Sequence, residues 1–243
     1  MSHPALDRVV RCSRYGRRLL AAQPQLAEAV AGQLDQSYTR AAMQAFLAEP
    51  PCTNEDDLHR RLRQLRQRVW LITTARDLAG TADLAEVTAT WSALAEVCIA
   101  AALDFHHAAL AARHGEPRDE HGQPQQMVVV GMGKLGGGEL NVSSDIDLIY
   151  LYPEEGDTAA DDPATPVRSL SNHEFFIRLG RKLAAALNEA TADGYVFRVD
   201  LRLRPWGESG PFAMGFAMLE DYLVAQGRPW ERYAWIKARP LTG

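Results

Sequence analysis

Apolar residues recur along this chain with two different periods, and the period changes near residue 115. After Pro50-Pro51, Leu58, Leu62, Leu65, Val69 and Ile72 follow one another at intervals of three and four, the stripe of an amphipathic helix. Thr53-Asn54-Glu55-Asp56 offers capping residues for a start near Asp56. A second stripe, Leu84, Val87, Trp91, Leu94 and Cys98, predicts a helix over 83–114. Residues 1–113 as a whole are dominated by Ala, Leu, Arg, Gln and Glu, all good helix formers, so helix is expected almost throughout. The arginines between Arg60 and Arg68 fall opposite the apolar stripe and read as a solvated helix face.

Residues 115–125, GEPRDEHGQPQ, are polar and rich in Gly and Pro, and read as a linker or loop. Beyond them the period shortens to that of strands. Met127-Val128-Val129-Val130-Gly131 predicts a buried strand, DIDLIYLYP at 145–153 a second, and 195–204 a third. Between them lie a glycine-rich loop, a polar loop at 154–168, and a helix over 170–189 through Phe175, Phe176, Leu179, Leu183 and Leu187. The expected architecture is α+β, with a helical N-terminal region at 1–115 and a second domain at 116–243. There is no internal repeat.

Composition narrows the function only modestly. A 243-residue chain with 47% hydrophobic residues can bury a real core, and its formal net charge of -5 argues against bulk attraction to nucleic acid or an anionic membrane. No uninterrupted apolar run approaches the ~20 residues of a membrane span, and the N-terminus lacks a signal-peptide core, so a soluble cytoplasmic protein is expected. Cys12, Cys52 and Cys98 are odd in number and far apart, which reads as three free thiols.

The chemistry concentrates in the second half. Asp145 and Asp147 are two apart on an expected strand, so their carboxylates share a face, where like charges are costly unless a cation joins them. Magnesium, with its preference for oxygen ligands, suits that pair. In the expected third strand, Phe197, Val199, Leu201 and Leu203 alternate with Arg198, Asp200, Arg202 and Arg204. That charged row is either a set of surface salt bridges or a third carboxylate among phosphate-binding guanidiniums. Three carboxylates could hold two metals about 4 Å apart.

Gly131-Met132-Gly133-Lys134-Leu135-Gly136 spells the glycine signature of dinucleotide-binding folds. That signature requires a full helix and an acidic residue about 20 positions on, whereas the acidic pair here opens nine residues past Gly136. The spacing excludes a crossover helix. Gly136, Gly137 and Gly138 instead offer backbone N–H groups to a phosphate, with Lys134, Ser143 and Ser144 adding charge and hydroxyls; the glycines could equally serve tight turns.

Glycines, a short turn, an Asp-x-Asp strand and a later third Asp resemble the DNA-polymerase-β-like nucleotidyltransferase superfamily. GMGKLGGGELNVSSDIDLIYLYP at 131–153, FRVDLRLRPWGESGPF at 197–212 and WERYAWIKARP at 230–240 resemble, more narrowly, the bifunctional glutamine synthetase adenylyltransferase/adenylyl-removing enzymes. RRLRQLRQRVWLITTARDLAG at 60–80 is similar to the helical region before the first catalytic domain there. The resemblance implies a polymerase-β-like domain at 116–243, its small mixed sheet flanked by helices. It implies that Asp145, Asp147 and Asp200 bind two Mg2+ ions and that Gly136, Gly137 and Ser144 lie in the nucleotide-phosphate loop. It matches Arg202, Arg204, Lys237 and Arg239 to basic motif positions.

In that family one half transfers AMP from ATP to a tyrosine of glutamine synthetase, and the N-terminal half removes it with phosphate, releasing ADP. GELNVSSDIDLI and RPWGESGP resemble the removing half. The family's length implies a truncated product, the catalytic domain incomplete at its C-terminus. Glutamine synthetase and the PII nitrogen-signalling protein are the implied partners. Two alternatives stand beside AMP removal: the forward transfer of AMP, and a silent truncated module that docks on the synthetase or on PII.

Overall fold

Four helices in the first half begin where a side-chain oxygen accepts from a free N–H group of the first turn: Ser13, Thr39, Asn54 and Asp83. The computed structural model describes residues 3–162 and 164–243. In it α1 (Pro4–Cys12), α2 (Arg14–Ala22), α3 (Pro24–Ala31) and α4 (Arg40–Ala48) are short, and α5 (Glu55–Ala79) and α6 (Leu84–His114) are long. Asn54 Oδ1 caps α5 through the Asp57 N–H at 2.9 Å, and Asp83 Oδ1 caps α6 through the Glu86 N–H at 2.8 Å. Gly80, at φ 74°, ends α5 in the left-handed conformation that glycine tolerates without a Cβ clash.

Helix α5 departs from a simple amphipathic helix. The arginines expected on a solvated face include Arg61 and Arg63, which are buried, Arg63 to 1% exposure. The Arg63 guanidinium donates to the carbonyls of His59 (2.8 Å), Gly194 (2.8 Å), Ala186 (3.2 Å) and Glu189. Two of those carbonyls end the helix that follows the sheet, where intrahelical donors run out. α5 has helices on several sides, so only part of its polar face meets solvent, and Arg61 and Arg63 turn inward to free carbonyls while Arg60 stays exposed.

Helix α6 is the most apolar of the long helices. Among the described residues it is long and apolar enough, by length and composition, to cross a membrane. Its surface is nonetheless used as protein core: Trp91, Leu94, Cys98, Ile99 and Ala102 are buried, and Glu96 and His106 are buried with them. It packs against α4, α5 and the helix after the sheet.

The 115–125 segment and the 154–168 loop are not simple connectors. Each holds a three-residue strand, β1 (Glu116–Arg118) and β4 (Asp157–Ala159), and the two pair antiparallel as a ribbon. Between them run β2 (Val128–Gly131), the single turn α7 (Gly133–Gly136) and β3 (Ile146–Tyr152), and after them comes α8 (Asn172–Asn188). The chain continues through β5 (Val199–Asp200), β6 (Met214–Gly215), α9 (Phe216–Ala225), α10 (Pro229–Ala234) and β7 (Arg239–Pro240).

The main sheet has the order β5-β3-β2-β7, with β6 also on β3. It is mixed: β2 lies antiparallel to β3 and β7, while β5 and β6 run parallel to β3. Alternation along β3 divides its side chains between two faces. Ile146, Leu148, Tyr150 and Tyr152 join a core shared with α5, α6 and α8, and Ile149 and Leu151 join a smaller one with Met214 and Leu219. The first core runs without a break from Ala5 to Ala213, across residue 115. This is an α+β fold with helices on both faces of a small sheet.

The third expected strand is much shorter than 195–204. Only Val199–Asp200 pairs with β3, and β6 resumes along the same edge after an excursion. Asp200 Oδ1 accepts the Arg202 N–H at 2.8 Å and the Arg204 N–H reaches Leu201 O at 3.2 Å, so the chain turns where alternation predicted extension.

Candidate active site

Asp145 immediately precedes β3 and Asp147 is its second residue, on the face shared with Ile149 and Leu151. Parallel pairing sets Asp147 directly beside Asp200 on β5. Three carboxylates therefore gather at one end of the sheet, from two strands 53 residues apart in sequence. Asp147 is half-buried. Burial, followed by the charges of Asp200 and Asp145, pushes its carboxyl above the ordinary value, with Arg202 opposing. No donor among the described residues hydrogen-bonds the Asp147 carboxylate.

The other two acids are held by guanidiniums. Arg198 donates through Nε to Asp145 Oδ1 at 2.9 Å, and through Nη2 to the same oxygen and to Ser143 O at 3.1 Å. Arg202 grips Asp200 through Nε (2.9 and 3.0 Å) and Nη2 (2.5 Å). Those bonds from Arg202 hold the Asp200 carboxyl below its usual range. An unpaired, half-buried carboxylate between two paired ones is a donor set that a hard divalent cation fits, because oxygen ligands and charge are what Mg2+ requires.

The glycine loop arches over this end. Gly133, at φ 52°, lies so close to Asp147 that a Cβ there would be 3.1 Å from Oδ2, and the Met132 N–H donates to Asp147 O at 2.9 Å. The N–H groups of Gly136, Gly137, Gly138 and Glu139 are already used within the turn, donating to Met132, Gly133, Leu135 and Lys134 carbonyls. That differs from the expected cradle: the glycines at 136–138 shape the turn, and at Gly136 the reason is close approach. A Cβ there would meet the Lys237 carbonyl oxygen at 1.9 Å. Lys134 is exposed on this turn, and Ser144 is half-buried just before Asp145, its N–H donating to Asn141 O at 3.1 Å.

The remaining basic positions lie in two surroundings. Arg202 is at the site with its side chain 70% exposed and bonded to Asp200. Arg204 is buried, and its guanidinium donates to the carbonyls of Leu201 (2.7 Å), Glu208 (3.1 Å) and Gly210 (3.2 Å), which organises the excursion. Lys237 pairs with Glu139. Arg239 bonds Gly136 O at 3.0 Å, Leu135 O at 3.2 Å and Glu96 Oε1 at 2.5 Å. Both brace the back of the glycine turn.

Several contributors carried no sequence signal of their own. Arg198 alternated correctly but its pairing with Asp145 required the register of β5. Glu96 joins Arg40 and Arg239 from within an otherwise apolar helix. Beside Arg202 a cleft of about 340 Å³ is lined by Trp206, Tyr222, Trp230, Arg228 and Glu231. Trp206 adopts φ 59° and crosses the Tyr222 ring at 4.7 Å, donating from Nε1 to Gln226 at 3.1 Å. The repeated Trp and Tyr residues between 206 and 230 were the available hint.

An α+β fold with clustered carboxylates, guanidiniums and a glycine turn at one end of its sheet fits the class of metal-dependent nucleotidyltransferases. Comparison with known proteins narrows the class: the chain belongs to the glutamate-ammonia ligase adenylyltransferase family, whose model matches residues 4–243. A relative in Nitrosomonas eutropha, a bifunctional glutamine synthetase adenylyltransferase/adenylyl-removing enzyme, is 54% identical over 236 residues, covering 95% of this chain and 25% of its own. Relatives with the same description occur in Chromobacterium violaceum (50% identical; 98% of this chain, 26% of theirs) and Bordetella pertussis (46%; 98% and 25%). The chain thus spans about a quarter of the length of the curated relatives it matches.

Proposed function

We propose that this site removes AMP from an adenylylated tyrosine of glutamine synthetase, using inorganic phosphate and releasing ADP. The observation that carries the reading is the half-buried, unpaired Asp147 between Asp145 and Asp200. The direction rests on the GELNVSSDIDLI and RPWGESGP strings, which resemble the removing half of the family. The PII protein is the regulatory partner that the same resemblance implies.

In the proposed reaction a phosphate oxygen attacks the phosphorus of the AMP group. A new P–O bond forms as the bond to the tyrosine oxygen breaks, and the phenolate leaves. Asp145, Asp147 and Asp200 would hold the Mg2+ ions, which when bound neutralise charge on the reacting oxygens. Arg198 and Arg202, which now balance Asp145 and Asp200, are the side chains freed to face phosphate oxygens once the acids take up a cation. Lys134, exposed on the glycine turn, adds a mobile charge. The cleft walled by Trp206, Tyr222 and Trp230 supplies flat apolar faces for a ring, either adenine or the tyrosine. Positioning and charge are the protein's main contributions.

The test has two arms. The chain is incubated with Mg2+, phosphate and adenylylated synthetase, and separately with Mg2+, ATP and unmodified synthetase. ADP release in the first arm and no AMP incorporation in the second are expected, and Asp147→Asn should slow release by at least about 100-fold. Incorporation in the second arm alone reverses the direction. Release at an unchanged rate in Asp147→Asn refutes the role of the acids.

A further inference from the structure

The first turn of α5 and the second half of α6 bring together three side chains that have no part in the carboxylate site. Glu55 and His59, four residues apart, share a face of α5, and His106 meets them from α6. One carboxylate oxygen and one nitrogen from each ring all lie within 4.8 Å of one another. His106 is fully buried, yet neither of its ring nitrogens has a hydrogen-bond partner, and His59 Nε2 lacks one as well. Buried polar atoms are ordinarily partnered, and a core histidine ordinarily satisfies at least one nitrogen. Around the cluster, His59 crosses the His106 ring edge-on at 6.5 Å, and Lys182 of α8 reaches Glu55 Oε2 at 3.1 Å.

We propose that Glu55, His59 and His106 form a transition-metal site of the Zn2+ class that clamps α5 to α6, from which Lys182 is displaced when the metal binds. Two imidazoles and one carboxylate are a donor set that zinc accepts, with a fourth tetrahedral position left for water. Magnesium, which takes oxygen ligands, does not select two imidazoles. A metal takes the neutral imidazole, and each ring offers one nitrogen to the cluster. In a tetrahedral site with bonds of about 2.1 Å the ligand atoms sit about 3.4 Å apart. The exposed Glu55 carboxylate closes that gap by rotating away from Lys182. Residues at helix spacing i and i+4 present both α5 ligands on the face that meets His106 of α6.

The test uses the tag-free 243-residue chain dialysed against Zn2+, with Mg2+ in large excess so that oxygen sites stay filled, and bound zinc counted by elemental analysis. His59→Gln and Glu55→Gln lie at the solvent side of the cluster and leave the His106 packing intact; their unfolding temperatures without zinc report that they fold. One zinc per chain is expected, weakened by more than about 100-fold in either variant, since losing a ligand exceeds the 10–100-fold typical of supporting partners. Lys182→Met should tighten binding by about two- to fivefold, because a competing ammonium is gone. Wild-type chain that binds no zinc, or zinc binding unchanged in both ligand variants, overturns the proposal. None of these readouts depends on AMP removal.

Discussion

Arg63→Ala is expected to destabilise the whole chain although the residue lies far in sequence from any motif. Its side chain is 1% exposed, and its guanidinium supplies donors to four carbonyls, two of which, Ala186 and Glu189, close α8. A hydrogen bond from a charged donor contributes about 1.5–3 kcal/mol, and a buried acceptor left unpaired costs about 1–3 kcal/mol. These terms share one side chain and do not add, and water entering the vacated space recovers part of the loss. A net cost of about 3–5 kcal/mol follows, a large fraction of the 5–15 kcal/mol typical of a folded domain. With a urea slope of about 3 kcal/mol/M for a chain of this size, the midpoint moves down by roughly 1–1.7 M, read by far-ultraviolet circular dichroism. Arg63→Lys should recover little, because a single ammonium cannot span four carbonyls. The exposed Arg60→Ala, which loses only a pair with Asp57, should leave the midpoint unmoved. An Arg63→Ala midpoint within about 0.3 M of wild type would refute the inward reading of this cation.

Two further outcomes follow from the site. Asp147 has its carboxyl pushed up by burial and by Asp200 and Asp145, so it stabilises the fold when protonated, below about pH 4, and that contribution is lost as pH rises through the folded value. Asp147→Asn should therefore unfold at a higher temperature than wild type at pH 7 without divalent cations, with the gain shrinking on acidification; a gain that grows towards low pH contradicts the sign. Gly136→Ala places a Cβ 1.9 Å from Lys237 O and 2.5 Å from Gly131 O, both backbone atoms that no rotamer can move. Overpacking of this kind costs about 1–3 kcal/mol, and hydrogen exchange at Val129 and Leu241 should quicken as the last strand loosens; unchanged protection would show that the approach is not tight.

Long periodic stretches were legible in the sequence. The starts of α5 and α6 fall within a residue or two of the capping residues at Asn54 and Asp83, and α8 follows its apolar spacing. Asp145 and Asp147 were legible as a pair because residues two apart on a strand share a face. Their closeness to Asp200 depended on strand register, which only tertiary pairing fixes. The error at 195–204 has a local cause: Asp200 can bond its own chain two residues on, and that turn outcompeted an alternation that fitted a strand. Strands β1 and β4 are three residues each, too short to display a period, and are held by each other. Arg63 and His106 escaped for a shared reason. A helical stripe tells which residues face one neighbour, and α5 and α6 have neighbours on several sides.

The contact between Gly136 and residues 237–239 also orders events in time. Arg239 reaches back 103 residues to Gly136, and the Leu241 N–H closes onto Val129 O at 2.8 Å. During synthesis the glycine turn emerges long before the segment that braces it, so the end of the sheet that carries Asp147 stays unbuttressed while α8 and the aromatic cleft are made. In the order of synthesis the site is thus completed late, by a strand of two residues.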